Sequence, residues 1–267
     1  MHASARFTIR YGDELRFAGT SLPDPLTVRA PTRSGHVRVH VYGELGRPAY
    51  VHTHGGAWLM RYPQMDDWWC RYVAETAGVT VVNVDFRAGP YVRYPVAQHE
   101  AHDAAAWVAG HGAPVAVGGF SSGAGLAAAT CLQARDTGSF APVLQFLGCP
   151  ALDVAAPPAL PVGHLVRRVY FPDPGTRRSS YASPLLAPSV ADLPPAVVLT
   201  GSRDPLKRDG VAYAERLRSE GIEVVHDDTP GAHHYFLTED PTRARTTMAM
   251  AAAEIRRRLW PRPRLET

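Results

Sequence analysis

The sequence predicts an α/β fold, a mainly parallel central sheet with helices on both of its faces. Three observations carry this. Strand-like and helix-like runs alternate through most of the 267 residues. Several strand runs, "VTVVNV" (79–84) and "AVVLTG" (196–201) among them, are apolar nearly throughout rather than at every second position, as strands covered on both faces are. Residues able to do chemistry stand directly after such runs, and the C-terminal ends of parallel strands are where functional groups collect in these sheets.

Taken in order, residues 1–25 are irregular and are closed by Pro23 and Pro25. Three β-rich runs follow: "LTVRA" (26–30), "HVRVHVY" (36–42) and "AYVHTH" (49–54). "WLMRYPQMDDWWCRY" (58–72) reads as a helix packed on the sheet, with the alternative that Trp58, Tyr62 or Trp68 walls a substrate pocket. After the strand at 79–84, Ala97, Ala101, Ala104 and Val108 recur at spacings of four, three and four and predict a helix. "PVAVGG" (114–119) is the next strand, 122–136 the next helix and "VLQFLG" (143–148) another strand. Residues 153–188 are rich in proline and arginine and break the rhythm, which predicts an inserted cap. Within it, Arg167, Arg168, Tyr170 and Phe171 are candidates to face a substrate. The strand at 196–201, a helix over 206–220, "IEVVHD" (222–227) and a last helix carrying Met248, Ala252, Ile255 and Leu259 resume the alternation. The expectation is one domain over 1–267 with cap elements near 1–25 and 153–188.

Composition narrows the function classes. The chain is 45% hydrophobic and 20% charged, an ordinary globular balance, with a net charge of +3. Arg256, Arg257 and Arg258, with Arg262 and Arg264 beyond, read as the solvated end of the last helix rather than a nucleic-acid contact. Cys70, Cys131 and Cys149 are scattered, which argues for free thiols in a reducing compartment. The opening "MHASARFTIRYGDELRF" has no apolar leader, and no run approaches the roughly 18 apolar residues of a membrane span. A cytoplasmic protein without membrane or nucleic-acid partners is expected.

Residues 117–125 read "VGGFSSGAG". Of the two serines, Ser121 alone has glycine at −2 and +2 (Gly119, Gly123), the G-x-S-x-G pattern of a nucleophile on a tight strand-to-helix turn. Asp204 follows the strand at 196–201, and His233 and His234 follow the strand at 222–227. A serine hydroxyl is a poor nucleophile unless an imidazole takes its proton and a carboxylate orients that imidazole, and the chain order Ser, Asp, His suits this architecture. Asp209, the nearest rival to Asp204, lies inside the helix pattern. "HTHGGAW" (52–58) offers a glycine loop after a strand, where main-chain N–H groups can approach an oxyanion, and the N–H of Ser122 is a further donor.

Five stretches together carry a resemblance to the hormone-sensitive-lipase branch of the α/β-hydrolase superfamily, which contains many bacterial esterases. "HGGAW" (54–58) is similar to the family's H-G-G-G-x loop and "VDFRAGPYVRYPVA" (84–97) to its V-D-Y-R-L-A-P-E-x-x-F-P-A-A. "GFSSGAGLA" (119–127) resembles G-D-S-A-G-G-N-L-A. The segment 183–210 resembles S-P-L followed by D-P-L-x-D-E-G, and "GAHHYF" (231–236) resembles G-x-x-H-G-F. The resemblance implies an α/β-hydrolase fold with a small, shortened cap. It also implies His234 rather than His233 as the base, oxyanion donors at Gly56, Ala57 and Ser122, and Gly55 shaping the turn. Ala57, Phe120, Ser122 and Tyr91 depart from the family pattern, so the triad of Ser121, Asp204 and His234 is kept and the substrate is open.

The expected activity is hydrolysis of a small to medium carboxylic ester through an acyl-enzyme, with no cofactor and no metal. Trp58, Phe120 and Tyr62 are the pocket candidates. His99, Glu100, His102 and Asp103 read as a helix face rather than a metal site, His52 and Arg87 as structural, and His54 as a brace for the oxyanion loop. The alternatives are an acyltransferase or thioesterase using the same acyl-enzyme, with an acyl-carrier protein as partner, and a non-catalytic binder. A homodimer is the remaining partner expectation.

Overall fold

The structure is a computed structural model that describes residues 14–261. The part of the expected N-terminal cap element in 1–13 lies outside the described residues, as do Arg262 and Arg264. Eight strands form one sheet: β1 (Leu26–Thr32), β2 (Gly35–Tyr42), β3 (Ala49–Thr53), β4 (Thr80–Asp85), β5 (Val115–Phe120), β6 (Gln145–Gly148), β7 (Ala196–Gly201) and β8 (Val224–Thr229). Their order is β1-β2-β4-β3-β5-β6-β7-β8. β2 runs against both of its neighbours, and the pairings from β4 through β8 are parallel. The described residues also form six α-helices: α1 (Asp67–Ala77), α2 (Val96–Ala109), α3 (Ser122–Thr137), α4 (Val162–Val169), α5 (Lys207–Ser219) and α6 (Pro241–Leu259).

The near-continuous apolar strand runs follow from cover on both faces. Val82, Val84, Val115, Val117 and Val198 point to one face, against Ala101 and Val108 of α2, Leu126 of α3 and Leu217 of α5. The residues between them, Val81, Ala116, Val197 and Leu199, point to the other, against Trp69 and Val73 of α1 and Met248 and Ile255 of α6. Side chains alternate across a strand, so two buried faces require apolar residues at consecutive positions. The expectation for 58–72 divides in two: a tight turn over Pro63–Asp66 leads into α1, which packs on the sheet.

The last strand starts two residues later than its apolar run suggests. Gly221 adopts φ +80°, and the Ile222 N–H donates back to the Leu217 carbonyl of α5 at 2.9 Å. This glycine-assisted helix end claims Ile222, and the strand begins only after Glu223. Residues 153–188 hold α4 and short turns tied down by arginines rather than a second sheet. Arg167 donates to the carbonyls of Val154, Ala155 and Ala156, and Arg177 to those of Phe171 and Pro172. Residues 19–24 dock elsewhere, on α1, where Arg71 donates to the Leu22 carbonyl and Glu75 accepts the Gly19 N–H. No described helix is long and apolar enough to cross a membrane.

Candidate active site

The turn between β5 and α3 sets the centre of the site. Ser121 has φ +54° and ψ −117°, outside the ordinary helix and strand regions. Its N–H donates to the Gly148 carbonyl of β6 at 2.8 Å, and its own carbonyl accepts from Gly125 and Ala151. The two flanking glycines are there for steric reasons. A Cβ on Gly119 would lie 2.2 Å from the Thr53 carbonyl oxygen, and one on Gly123 would lie 2.0 Å from the same atom. β3 and the elbow therefore meet backbone to backbone, and the Thr53 hydroxyl clasps the contact by donating to the carbonyls of Gly118 and Gly123.

Two distant loops complete the arrangement. His234, in the loop after β8, places Nε2 3.0 Å from the Ser121 Oγ. Its Nδ1 lies 2.9 Å from Oδ2 of Asp204, in the loop after β7. The tautomer with its proton on Nδ1 satisfies both contacts, donating to the carboxylate and accepting from the hydroxyl. The Leu206 N–H holds the other Asp204 oxygen at 2.8 Å, and that carboxylate is buried. His233 turns out to solvent and pairs with Glu239, while the Asp209 carboxylate accepts from the backbone N–H groups of Leu152 and Asp153. The rivals to His234 and Asp204 are thus occupied elsewhere.

Cys149 brings its Sγ to within 4.8 Å of the Asp204 carboxylate and the His234 imidazole. Burial, with the Asp204 charge behind it, pushes its thiol up to about 12, so it stays protonated and is a poor metal donor. The residues around His99 are likewise committed: Glu100 pairs with Arg87, and His102 contacts Asp103 and the Ser139 hydroxyl.

The loop 55–58 runs through left-handed conformations, with φ +115° at Gly56, +55° at Ala57 and +54° at Trp58. Ala57, Trp58 and Ser122 join Ser121 in the wall of a cavity of about 280 Å³. Ser122 is the first residue of α3, so its N–H has no intrahelical acceptor. Gly55 and Gly56 are not in that wall; Gly55 backs onto Tyr235. His54 is fully buried, stacks on Phe86 at 4.3 Å and has its Nδ1 2.7 Å from the Gly55 carbonyl. His52 bonds to Asp66 and Tyr50 on the opposite face of β3.

Burial lowers the His54 pKa from 6.5 to about 4. An unfolded histidine takes up a proton near 6.5 and native His54 only near 4, so between these values the unfolded state binds more protons. Stability is therefore expected to fall as the pH drops from about 6.5 to about 4, by about 3 kcal/mol from this group, at about 1.4 kcal/mol per pKa unit. Urea unfolding at pH 7 and at pH 4.5 measures it. His54→Gln should lose part of the slope, and unchanged pH dependence in that variant refutes the assignment.

Two pocket candidates need correction. Phe120 does not line the cavity. It shares strand parity with Ala116, so its ring enters the core on the α1 and α6 side, stacked with Trp68 and edge-on to Phe146. Parity along β5 was the available signal. Tyr62 is also absent from the wall. The N–H groups of Leu59 and Met60 fold back onto the Gly56 carbonyl, and Arg61 is drawn to Asp85, which carries the chain away from the cavity. Trp58 does line it, with Tyr170 and Phe171 packed behind the indole. Of the cap candidates only Arg167 reaches the wall, to which Leu160, Val162 and Val166 from α4 and its approach, and Leu206 from the Asp204 loop, also contribute.

Known proteins share this geometry's frame. An arylesterase of Saccharolobus solfataricus is 30% identical over 225 residues, 76% of this chain and 72% of that protein. Esterase LipI of Mycobacterium tuberculosis is 34% identical over 209 residues, 70% of this chain and 65% of the relative, so the chain spans just under two thirds of the latter's length. The solved hyperthermophilic esterase from the archaeon Pyrobaculum calidifontis superposes with a TM-score of 0.84 at 31% identity, covering 91% of this chain and 88% of that one. A family model described as the alpha/beta hydrolase fold matches residues 50–238. With its parallel sheet, its serine elbow and that match, the chain belongs to the alpha/beta hydrolase fold family.

Proposed function

We propose that the protein is a serine carboxylic-ester hydrolase acting on a small to medium ester. One observation carries the reading: the unbroken line from the Ser121 hydroxyl through His234 to the buried Asp204 carboxylate, at 3.0 and 2.9 Å, beside a largely apolar cavity. His234 takes the Ser121 proton as the oxygen attacks the ester carbonyl. Asp204 stabilises the imidazolium that forms and holds it in the productive tautomer. The N–H groups of Gly56, Ala57 and Ser122 receive the oxyanion, each worth roughly 10²–10³ in rate. The alcohol leaves with the proton from His234, and water, activated by the same imidazole, releases the acid from Ser121. The segment 153–188 serves as the cap, and Trp58, Leu160, Val166 and Leu206 shape the space for the substrate. A cytoplasmic location completes the reading, in keeping with three buried, unpaired cysteines.

A fluorophosphonate probe tests the nucleophile directly. Intact-mass and peptide analysis should find a single covalent adduct on Ser121, formed more slowly while a p-nitrophenyl ester is present in excess. An adduct on Ser122, or no adduct at all while the protein is folded, refutes the proposal. Running the acyl-ester reaction with alcohol and amine acceptors present separates hydrolysis from acyl transfer.

A further inference from the structure

We propose that Tyr235 is a positioning residue: it wedges between the His234 imidazole and the oxyanion loop and fixes the distance between them. The proposal rests on the ester-hydrolase reading above.

The first observation is backbone strain. Tyr235 has φ +59° and ψ +36°, the left-handed region. An aromatic residue there is a steric outlier, and glycine would occupy the position freely. The chain tolerates this at the residue directly after His234, so the side chain has to return something that glycine could not.

The second observation is where that side chain goes. Its ring stands edge-on to the His234 imidazole, with centroids 4.9 Å apart and planes at 85°. Its far end fills the space that Gly55 leaves empty: a Cβ on Gly55 would lie 1.6 Å from the Tyr235 hydroxyl oxygen and 3.0 Å from the ring carbon that bears it. The ring also stands 6.3 Å from that of Phe120, the residue before Ser121, centroid to centroid. One side chain thus touches the loop of the base and the loop of the oxyanion donors, and packs beside the nucleophile elbow. Phe236 and Leu237, buried in the core on the α6 side, anchor the chain immediately after it.

The consequence is mechanical. Asp204 holds the imidazole through one contact at Nδ1, which by itself does not fix the tilt of the ring. Tyr235 blocks that tilt from one side and bears on the 55–57 loop from the other. Removing it lets the distance between Nε2, Oγ and the oxyanion donors drift, and a misplacement of about 1 Å costs about 10²-fold in rate. Substrate binding depends on the cavity wall, of which Tyr235 is no part, so KM should hold.

The test uses the full chain, a p-nitrophenyl butyrate assay and thermal unfolding on Tyr235→Gly and Tyr235→Phe. For Tyr235→Gly, kcat should fall about 10²-fold with KM within about threefold. Its Tm should fall by only a few degrees, because the strain that glycine relieves partly offsets the lost packing of the ring. Tyr235→Phe keeps the ring and loses the contact at Gly55, so kcat should fall several-fold with Tm unchanged. Activity falling out of proportion to stability is the signature, since a purely structural residue lowers both together. A Tyr235→Gly enzyme with wild-type kcat overturns the proposal, as does a parallel loss of kcat and Tm in both variants. Should Tyr235→Gly not fold, wild-type kcat in Tyr235→Phe overturns it. A wild-type protein that cleaves no ester and takes no fluorophosphonate fails the underlying reading and takes this proposal with it. An active wild type matched by its Tyr235 variants fails this proposal alone.

Discussion

Ser121→Ala is expected to lower kcat for a short p-nitrophenyl ester by about 10⁴- to 10⁶-fold while leaving the fold intact. The hydroxyl is the atom at which the whole line of proton transfer begins, 3.0 Å from His234 Nε2. Its removal leaves the loop donors and the cavity but no nucleophile, so the residual rate reflects water attack in a preorganised site. Ser121 forms no side-chain contact that supports the core, and its own backbone bonds to Gly148, Ala151 and Gly125 are untouched by the substitution. The Tm should therefore stay within a few degrees of the wild type. A folded Ser121→Ala protein that keeps wild-type turnover ends the serine-hydrolase reading. Ser122→Ala is the matched control. Its backbone N–H survives the change, so its turnover should remain near that of the wild type.

Gly123→Ala is expected to have the largest effect on stability. The added methyl would lie 2.0 Å from the Thr53 carbonyl oxygen and 2.5 Å from that of His54. Neither atom can retreat cheaply. Thr53 is the last residue of β3, paired with both β4 and β5, and its hydroxyl is bonded to the elbow. Relief requires the elbow to part from the strand, which breaks those bonds and opens the core beneath. A destabilisation above about 4 kcal/mol is expected, enough to leave little soluble protein. Gly138→Ala makes the contrast. At φ +62° with nothing within 4 Å of a new Cβ, it meets only backbone strain, of about 1 kcal/mol. Urea midpoints of the two variants give the comparison, and a Gly123→Ala protein as stable as Gly138→Ala would refute the steric account of the motif.

The Gly123 case also shows why G-x-S-x-G is readable without coordinates. Its glycines answer to a contact that recurs wherever a serine must stand on so tight a turn, so the residue type itself records the geometry. The strands were legible for a comparable reason. Burial on both faces writes a near-continuous apolar run, and Val81, Val82 and Val84 obey it. Parity made even the orientation of Phe120 available, although the motif drew attention to its neighbour instead. The start of β8 was less legible, because the claim of the α5 end on Ile222 is a competition between two local structures.

The choice between His233 and His234 lay beyond spacing. Both follow the same strand, and family resemblance alone separated them before the fold did. One faces Glu239 in solvent, while the other meets a hydroxyl 113 residues away. The cavity wall was less accessible still, since α4, Leu206 and Trp58 come from three separate stretches with no shared pattern.

The sequence by itself determined the order of strands and helices, the serine elbow and the loops that carry an acid and a base. These depend on periodicity, on glycine where a Cβ cannot fit and on position after a strand, all of which are local properties of the chain. Tertiary structure alone decided which side chains wall the cavity and why Tyr235 sits in a strained conformation, and it brought to Ser121 the imidazole that only family resemblance had singled out. Those outcomes depend on contacts between loops far apart in sequence, and such contacts exist only once the sheet has brought the strand ends together.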